Sequence, residues 1–224
     1  MPPHFESLPE HFVSIDVECV ATGRRHDARA VALVVVVDQD EQELGRFRVK
    51  PEQPVASYLT PLTGIRPGEL DNGQPLEEVI EAVKEFLRPE TVLVGQGIQS
   101  DVDWLKLEEG VDFARMFDLA TMFKTFNPRF GNHSFFSLSH EANTLLQPGM
   151  IEDCHDPAID AQASIQLFKR YATDQAALER AKQRLLATRP KPSFAKRSGY
   201  QHEGVCMAAF MPRMCICDAP SKRS

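Results

Sequence analysis

An α/β fold with a mixed central sheet is predicted by three observations in the 224-residue sequence. Two early segments are rich in Val and Ile, a third alternates apolar and polar residues, and helical and strand patterns then alternate. Residues 11–18 and 29–38 read as strands, and the almost continuously apolar second one suits the middle of a sheet. Residues 43–50 (ELGRFRVK) form a third, half-exposed strand, so the sheet starts antiparallel. A loop punctuated by Pro and Gly covers residues 51–73. Residues 75–88 then carry helical spacing at Leu76, Val79, Ile80, Val83, Phe86 and Leu87, and stop before Pro89. Residues 91–95 return as a short buried strand. Ser100 or Asp101 caps a helix reaching residue 107, residues 113–117 form a last strand, and Asp118 caps a helix through residue 126. A Gly/Asn/His loop at 127–133 and a helix at 134–146 follow. One long helix spans about 156–186, with Asp156 as its cap and Pro157 in its first turn. Beyond Thr188 the sequence RPKPSFAKRSG is rich in Pro, Gly and basic residues, which divides the chain into a domain at 1–188 and an extension at 189–224.

The length suits one full-sized domain and one active site. With 42% hydrophobic and 25% charged residues the composition is that of a soluble globular protein, and the longest apolar run, residues 30–37, is too short to span a bilayer. No membrane partner is expected. The N-terminus has neither a basic start nor an apolar stretch, so an intracellular location with reduced cysteines is expected. A net charge of −7 argues against a nucleic-acid partner until its distribution is considered. Residues 179–224 carry +7 and the remainder −14. A carboxylate cluster loaded with divalent cations also reverses its local sign.

Asp16 and Glu18 lie two apart on the first strand, so their side chains leave the same face. Buried together they repel and lose hydration, a cost that divalent ions offset. Alone, Asp-x-Glu is more often a strand whose alternating face meets water. Asp101 follows the strand Val92–Leu93–Val94 and the loop Gly95–Gln96–Gly97 at a helix start, where a plain capping role for it or Ser100 competes with a chemical one. His155 and Asp160 stand five apart where the long helix begins, so both can face one pocket; such a pair is otherwise ordinary surface polarity.

Taken in this order and in these settings, the three pieces resemble the DEDDh exonuclease family: Asp-x-Glu on the first strand, Asp after the fourth, then His-x4-Asp entering the last long helix. The resemblance covers roughly residues 10–172 and includes a TGI turn at Leu62, Thr63, Gly64 and Ile65. Through YLTPLTGI and GQGIQSDVDWL it is most similar to the Rex-type RNA exonucleases and the catalytic subunit of the poly(A)-specific deadenylase. Gln96 and Ser100 depart from the Gly-His and the Asn that many relatives carry around the second motif, which bears on substrate preference.

The resemblance implies an RNase H-like fold and a 3′→5′ exonuclease acting on single-stranded nucleic acid, RNA favoured over DNA. It also implies two Mg2+ or Mn2+ ions about 3.5–4 Å apart that stabilise the attacking and leaving oxygens. By the same resemblance Asp16 bridges the ions, Glu18 and Asp160 complete one site, and Asp101 supports the other. His155 takes the proton of the attacking water, a task suited to a side chain with an unperturbed pKa of about 6.5. Val17, Cys19, Ser100 and the 62–65 turn shape the pocket for the terminal nucleotide. Phe135 or Phe136 stacks a base, unless both simply pack in the core. Competing readings are a DNA-directed exonuclease and a catalytically silent nucleic-acid-binding scaffold of the same fold.

In the extension, His202, Cys206, Cys215 and Cys217 place four ligand-type residues within sixteen positions, in a segment too small to build a core. A tetrahedral Zn2+ site would supply the missing stability. The single residue between Cys215 and Cys217 departs from the usual spacing of two to four, and the alternative is a packed or disordered tail with free thiols.

Overall fold

The structure, a computed structural model, describes residues 5–152, 154–209, 212–215 and 217. Three strands come first: β1 (Phe12–Ala21), β2 (Arg29–Asp38) and β3 (Glu43–Arg48). A short helix α1 (Thr60–Thr63), helix α2 (Leu76–Lys84), strand β4 (Val92–Gly95), helix α3 (Gln99–Trp104), strand β5 (Arg115–Asp118) and helix α4 (Leu119–Phe123) follow. Then come strands β6 (Thr125–Asn127) and β7 (Asn132–Ser134), and helices α5 (Leu138–Leu145), α6 (Pro157–Tyr171) and α7 (Gln175–Ala187). The C-terminal segment adds α8 (Phe194–Arg197), β8 (Gln201–His202) and β9 (Val205–Cys206). Among the described residues no helix is long and apolar enough to cross a membrane.

The central sheet has the order β3-β2-β1-β4-β5, with β1–β2 and β2–β3 antiparallel and β1–β4 and β4–β5 parallel. This is the mixed sheet with an antiparallel start. Period-two alternation in β1 and β2 feeds two separate cores, as a sheet covered on both faces requires. On one face Val20, Leu33, Val35 and Val37 pack with Ala158, Ala161, Ile165 and Phe168 of α6. On the other, Val13, Ile15, Val34 and Val36 pack with Val79, Val83 and Val102 of α2 and α3.

Several local expectations are corrected. The stretch 156–186 is two helices: Asp174 accepts a hydrogen bond from the Ala177 amide at 2.8 Å and starts α7 afresh. Asp156 does cap α6, accepting from the Ala158 amide at 3.0 Å. Helix α4, capped by Asp118, ends at Phe123, and the β6–β7 hairpin occupies the end of the expected helix and the expected loop after it. Helix α5 starts at Leu138 rather than Ser134, where Ser137 provides the cap. Neither Ser100 nor Asp101 caps α3; Ile98 occupies the cap position with no side-chain hydrogen bond.

Candidate active site

The sheet order puts the change of strand direction between β1 and β4, the place where open α/β sheets form their ligand crevice. Asp16 lies opposite Val35 and Glu18 opposite Leu33. Directly paired residues share a sheet face, so both carboxylates project on the side where α6 packs, and Asp160 enters there from the first turn of α6. A register shift between Glu18 and Cys19 marks a β-bulge, which re-aims the strand beside the site.

Asp101 reaches the same place by a different route. Strand β4 pairs with β1 at Phe12–Val92 and Val13–Leu93 and has left it by Val17. Asp101 Oδ1 takes over, accepting the Val17 amide at 3.0 Å. The carboxylate is thereby pinned between Asp16 and Glu18 in sequence, and the capping alternative for Asp101 is set aside. Ser100 is exposed.

The electrostatics express this convergence. Burial pushes the Asp16 pKa well above its ordinary value, and the carboxylates of Asp101, Asp160, Glu18 and Asp156 raise it further. Burial lifts Glu18 to about 8, opposed by His155 and reinforced by Asp160 and Asp101. Burial lifts Asp101 to about 7, with its backbone hydrogen bonds pulling the other way. His155 Nδ1 lies 2.8 Å from Asp160 Oδ2, while Asp160 Oδ1 is buried without a hydrogen-bond partner. The five residues are thus brought to one site. Among the described residues, the group of three or more ligand atoms all within 4.8 Å of one another lies elsewhere.

The turn at 62–65 leans on the His155 loop. The His155 amide donates to the Leu62 carbonyl at 2.8 Å. Gly64 has φ +72°, and a Cβ there would come 3.3 Å from Cys154 Sγ. Thr63 is buried; its hydroxyl donates to the Tyr58 carbonyl at 2.9 Å and accepts from the Ile65 amide at 3.1 Å. Ile65 is in the core, so Thr63 and Ile65 build the turn, and Leu62 and Gly64 are its contacts with the site. Val17 contributes its amide. Cys19 is half-buried, its thiol pushed up to about 12 by burial and the Glu18 and Asp101 charges. Beside Asp160 lies a pocket of about 230 Å3 lined by Met150, Glu152, Cys154, Asp156 and Ile159.

The model of a family described as exonuclease matches residues 13–168, which contain all five residues of this site. The chain belongs to this exonuclease family. It is 30% identical over 174 residues to human RNA exonuclease 4, covering 78% of this chain and 40% of the relative. It is 32% identical over 117 residues to small RNA degrading nuclease 2 of Arabidopsis thaliana, covering 52% of this chain and 24% of that one. The chain therefore spans less than half the length of these relatives. Among solved structures, the Saccharomyces cerevisiae Pan2 module in complex with AAUUAA RNA superposes with a TM-score of 0.66 at 20% identity, covering 81% of this chain and 33% of the other. The Neurospora crassa Pan2 catalytic unit gives 0.64 at 19%, covering 86% and 31%. The fold is RNase H-like.

Around the five residues the candidate site has further members that the motifs do not mark. Asp156, besides capping α6, adds negative charge to Asp16 and Glu18 and pairs with Arg46 of β3 at 3.0 Å. Its Asp-Pro context signalled only a helix start. The Gln96 side-chain amide donates to the Phe136 carbonyl at 2.7 Å, fixing the segment that follows β7. Phe136 packs partly into the core, whereas Phe135 is 61% exposed with Lys124 Nζ 5.2 Å from its ring centre. Phe126 and Phe130 of the neighbouring hairpin are exposed as well.

The thiols of the extension gather, with a different histidine. Cys206, Cys215 and Cys217 group with His26, from the turn between β1 and β2. His202 lies outside that group, its ring packed against Phe194 at 5.3 Å. Proximity in sequence suggested His202; folding delivers a ring from the opposite end of the chain.

Proposed function

We propose that this exonuclease domain removes nucleotides from the 3′ end of single-stranded RNA in a reaction that requires Mg2+ or Mn2+. Asp16, Glu18 and Asp160 would hold two ions, with Asp101 supporting the second. The donor set fits such hard cations. All four are carboxylates, their crowding and burial disfavour ionisation without a cation, and Asp160 Oδ1 is a buried acceptor in need of a partner. When bound, the ions would supply electrostatic stabilisation of the attacking and leaving oxygens of an in-line displacement.

The chain's own residues supply the rest. Asp160 orients the His155 ring through Nδ1, and the ring would take the water's proton. Asp101 braces the β1 backbone between Asp16 and Glu18, which keeps both carboxylates on the α6 side. Gly64 and Leu62, tied to the His155 loop, flank the terminal nucleotide, and exposed Phe135 offers a face for stacking a base.

The observation that carries the reading is the convergence of five separated residues at the β1–β4 crevice of a family-matched fold. RNA as substrate is supported by the names of the relatives and by the RNA-bound Pan2 structures. A digestion series on matched RNA and single-stranded DNA, labelled at either end, tests it. With 5′-labelled RNA a ladder shortening one nucleotide at a time is expected, and with 3′-labelled RNA immediate release of the mononucleotide. The reverse pattern would overturn the direction, and faster digestion of DNA would overturn the substrate.

A further inference from the structure

The extension packs back onto the domain rather than standing off from it. Strand β9 runs beside the β1–β2 turn: the Cys206 amide donates to the Arg24 carbonyl at 2.8 Å, and Arg29 Nη2 donates to the Cys206 carbonyl at 2.8 Å. Val205 is buried with Ala21 and Leu59, against Leu62 and Met207. The Ser57 hydroxyl donates to Glu203, and Ser57 Oγ accepts the Leu59 amide at 3.1 Å. This apolar cluster is small for a segment reaching Cys217.

At the end of this segment four metal-type ligand atoms face one another. Cys206 Sγ and Cys215 Sγ are 3.8 Å apart. His26 Nδ1 is 3.1 Å from Cys217 Sγ and 3.7 Å from Cys215 Sγ. All four ligand atoms lie within 4.8 Å of one another. With Zn–S of about 2.3 Å and Zn–N of about 2.0–2.1 Å, a tetrahedron has S···S edges of about 3.8 Å and S···N edges of about 3.5 Å; the Cys206–Cys215 distance matches the first, and the two S···N distances fall on either side of the second. A disulfide would need sulfurs about 2.05 Å apart, and none of these three cysteines forms one. Two backbone amides also point at the sulfurs: His26 N donates to Cys217 Sγ and Cys217 N to Cys215 Sγ, each at 3.4 Å. Such outer donors favour the thiolate form that a metal needs.

We infer that His26, Cys206, Cys215 and Cys217 bind one structural Zn2+ ion that fastens the C-terminal segment to the β1–β2 turn. All four tetrahedral positions are filled by protein, so the site is closed and structural rather than catalytic. Because Val205 packs beside Leu59 and Leu62, the clamp also braces the turn that leads to Gly64. This site is independent of the acidic one, whose carboxylates prefer harder cations.

Metal analysis of the full chain, purified without added metal under reducing conditions, tests this. About one zinc per chain is expected, and it should persist in Asp16→Asn, which separates it from the acidic site. Replacement by Co2+ should give the intense visible bands of a tetrahedral ion and a sulfur-to-metal charge-transfer band sized for three thiolates. His26→Ala should lose the zinc, while His202→Ala should keep it. Zinc absent from the reduced wild-type chain, a Co2+ spectrum without thiolate bands, or loss of zinc in His202→Ala but not His26→Ala would each overturn the assignment. Should His26→Ala fail to fold, the wild-type stoichiometry and Co2+ spectrum still decide.

Discussion

At Asp101 two roles competed, a helix cap and a site carboxylate, and the outcome follows from how far β4 runs. Once β4 leaves β1, the Val17 amide needs an acceptor, and Asp101 is the side chain that serves. The consequence is a set of crowded, buried carboxylates whose protonation is linked to stability. A carboxyl with a folded pKa above its unfolded value stabilises the fold fully below the unfolded value and loses that contribution as pH rises through the folded one. For Glu18 the window runs from 4.5 to about 8, and for Asp101 from 3.8 to about 7. In divalent-free buffer the melting temperature should fall between about pH 5 and about pH 8, and Glu18→Gln should flatten the slope. Added Mg2+ or Mn2+ should stabilise more at the upper end than at the lower. A melting temperature indifferent to both pH and these cations would contradict the crowding. His155→Ala should lower kcat by roughly 10²–10⁴-fold while RNA binding survives, because a positioned base acts on rate. Abolished binding with unchanged turnover would make His155 a substrate contact instead. The five residues could be picked out because Asp16 and Glu18 alternate within a strand pattern, while Asp101, His155 and Asp160 lie at or just before a helix start. Asp156 could not, since a cap and an electrostatic neighbour look the same in one dimension.

Among elements, the turn at 59–65 couples most directly to the site. Gly64 closes α1 in the left-handed region and faces Cys154, so Gly64→Ala combines backbone strain with a close approach. A loss of about 1 kcal/mol in a urea titration is expected, together with a raised KM. Unchanged stability and KM would show that the loop accommodates the methyl group and that the turn does not shape the pocket. The first three strands and α2 could be read from periodicity alone. The break between α6 and α7 could not, because Tyr171 and Ala172 continue the apolar pattern and only Asp174 signals a new start. The β6–β7 hairpin escaped for a similar reason: three-residue strands carry too little alternation to register.

For the whole molecule, charge separates into an acidic body and a basic C-terminal part, +7 over residues 179–224 against −14 elsewhere. Arg189, Lys191 and Lys196 are exposed, so replacing them with Gln should leave the fold intact. RNA binding should weaken and its salt dependence flatten by roughly 0.7 in log–log slope for each phosphate that these side chains neutralise in the wild type. An equal slope for both proteins would assign these residues to solvent or to another partner. The gathering of His26 with three C-terminal cysteines was beyond sequence spacing, since a link across some 180 residues exists only once the segment folds back.

The central claim is that the acidic cluster is a divalent-metal nuclease site, and Asp16→Asn tests it most directly. The amide nearly preserves shape but is a poorer ligand for a hard cation. Mn2+ binding and Mn2+-dependent cleavage of 5′-labelled RNA should be measured on the same preparations of wild-type and variant. The predicted result is Mn2+ binding and cleavage that rise together in the wild type, and a folded variant that shows neither. A variant that still cleaves in Mn2+, with contaminating nuclease excluded, would contradict it.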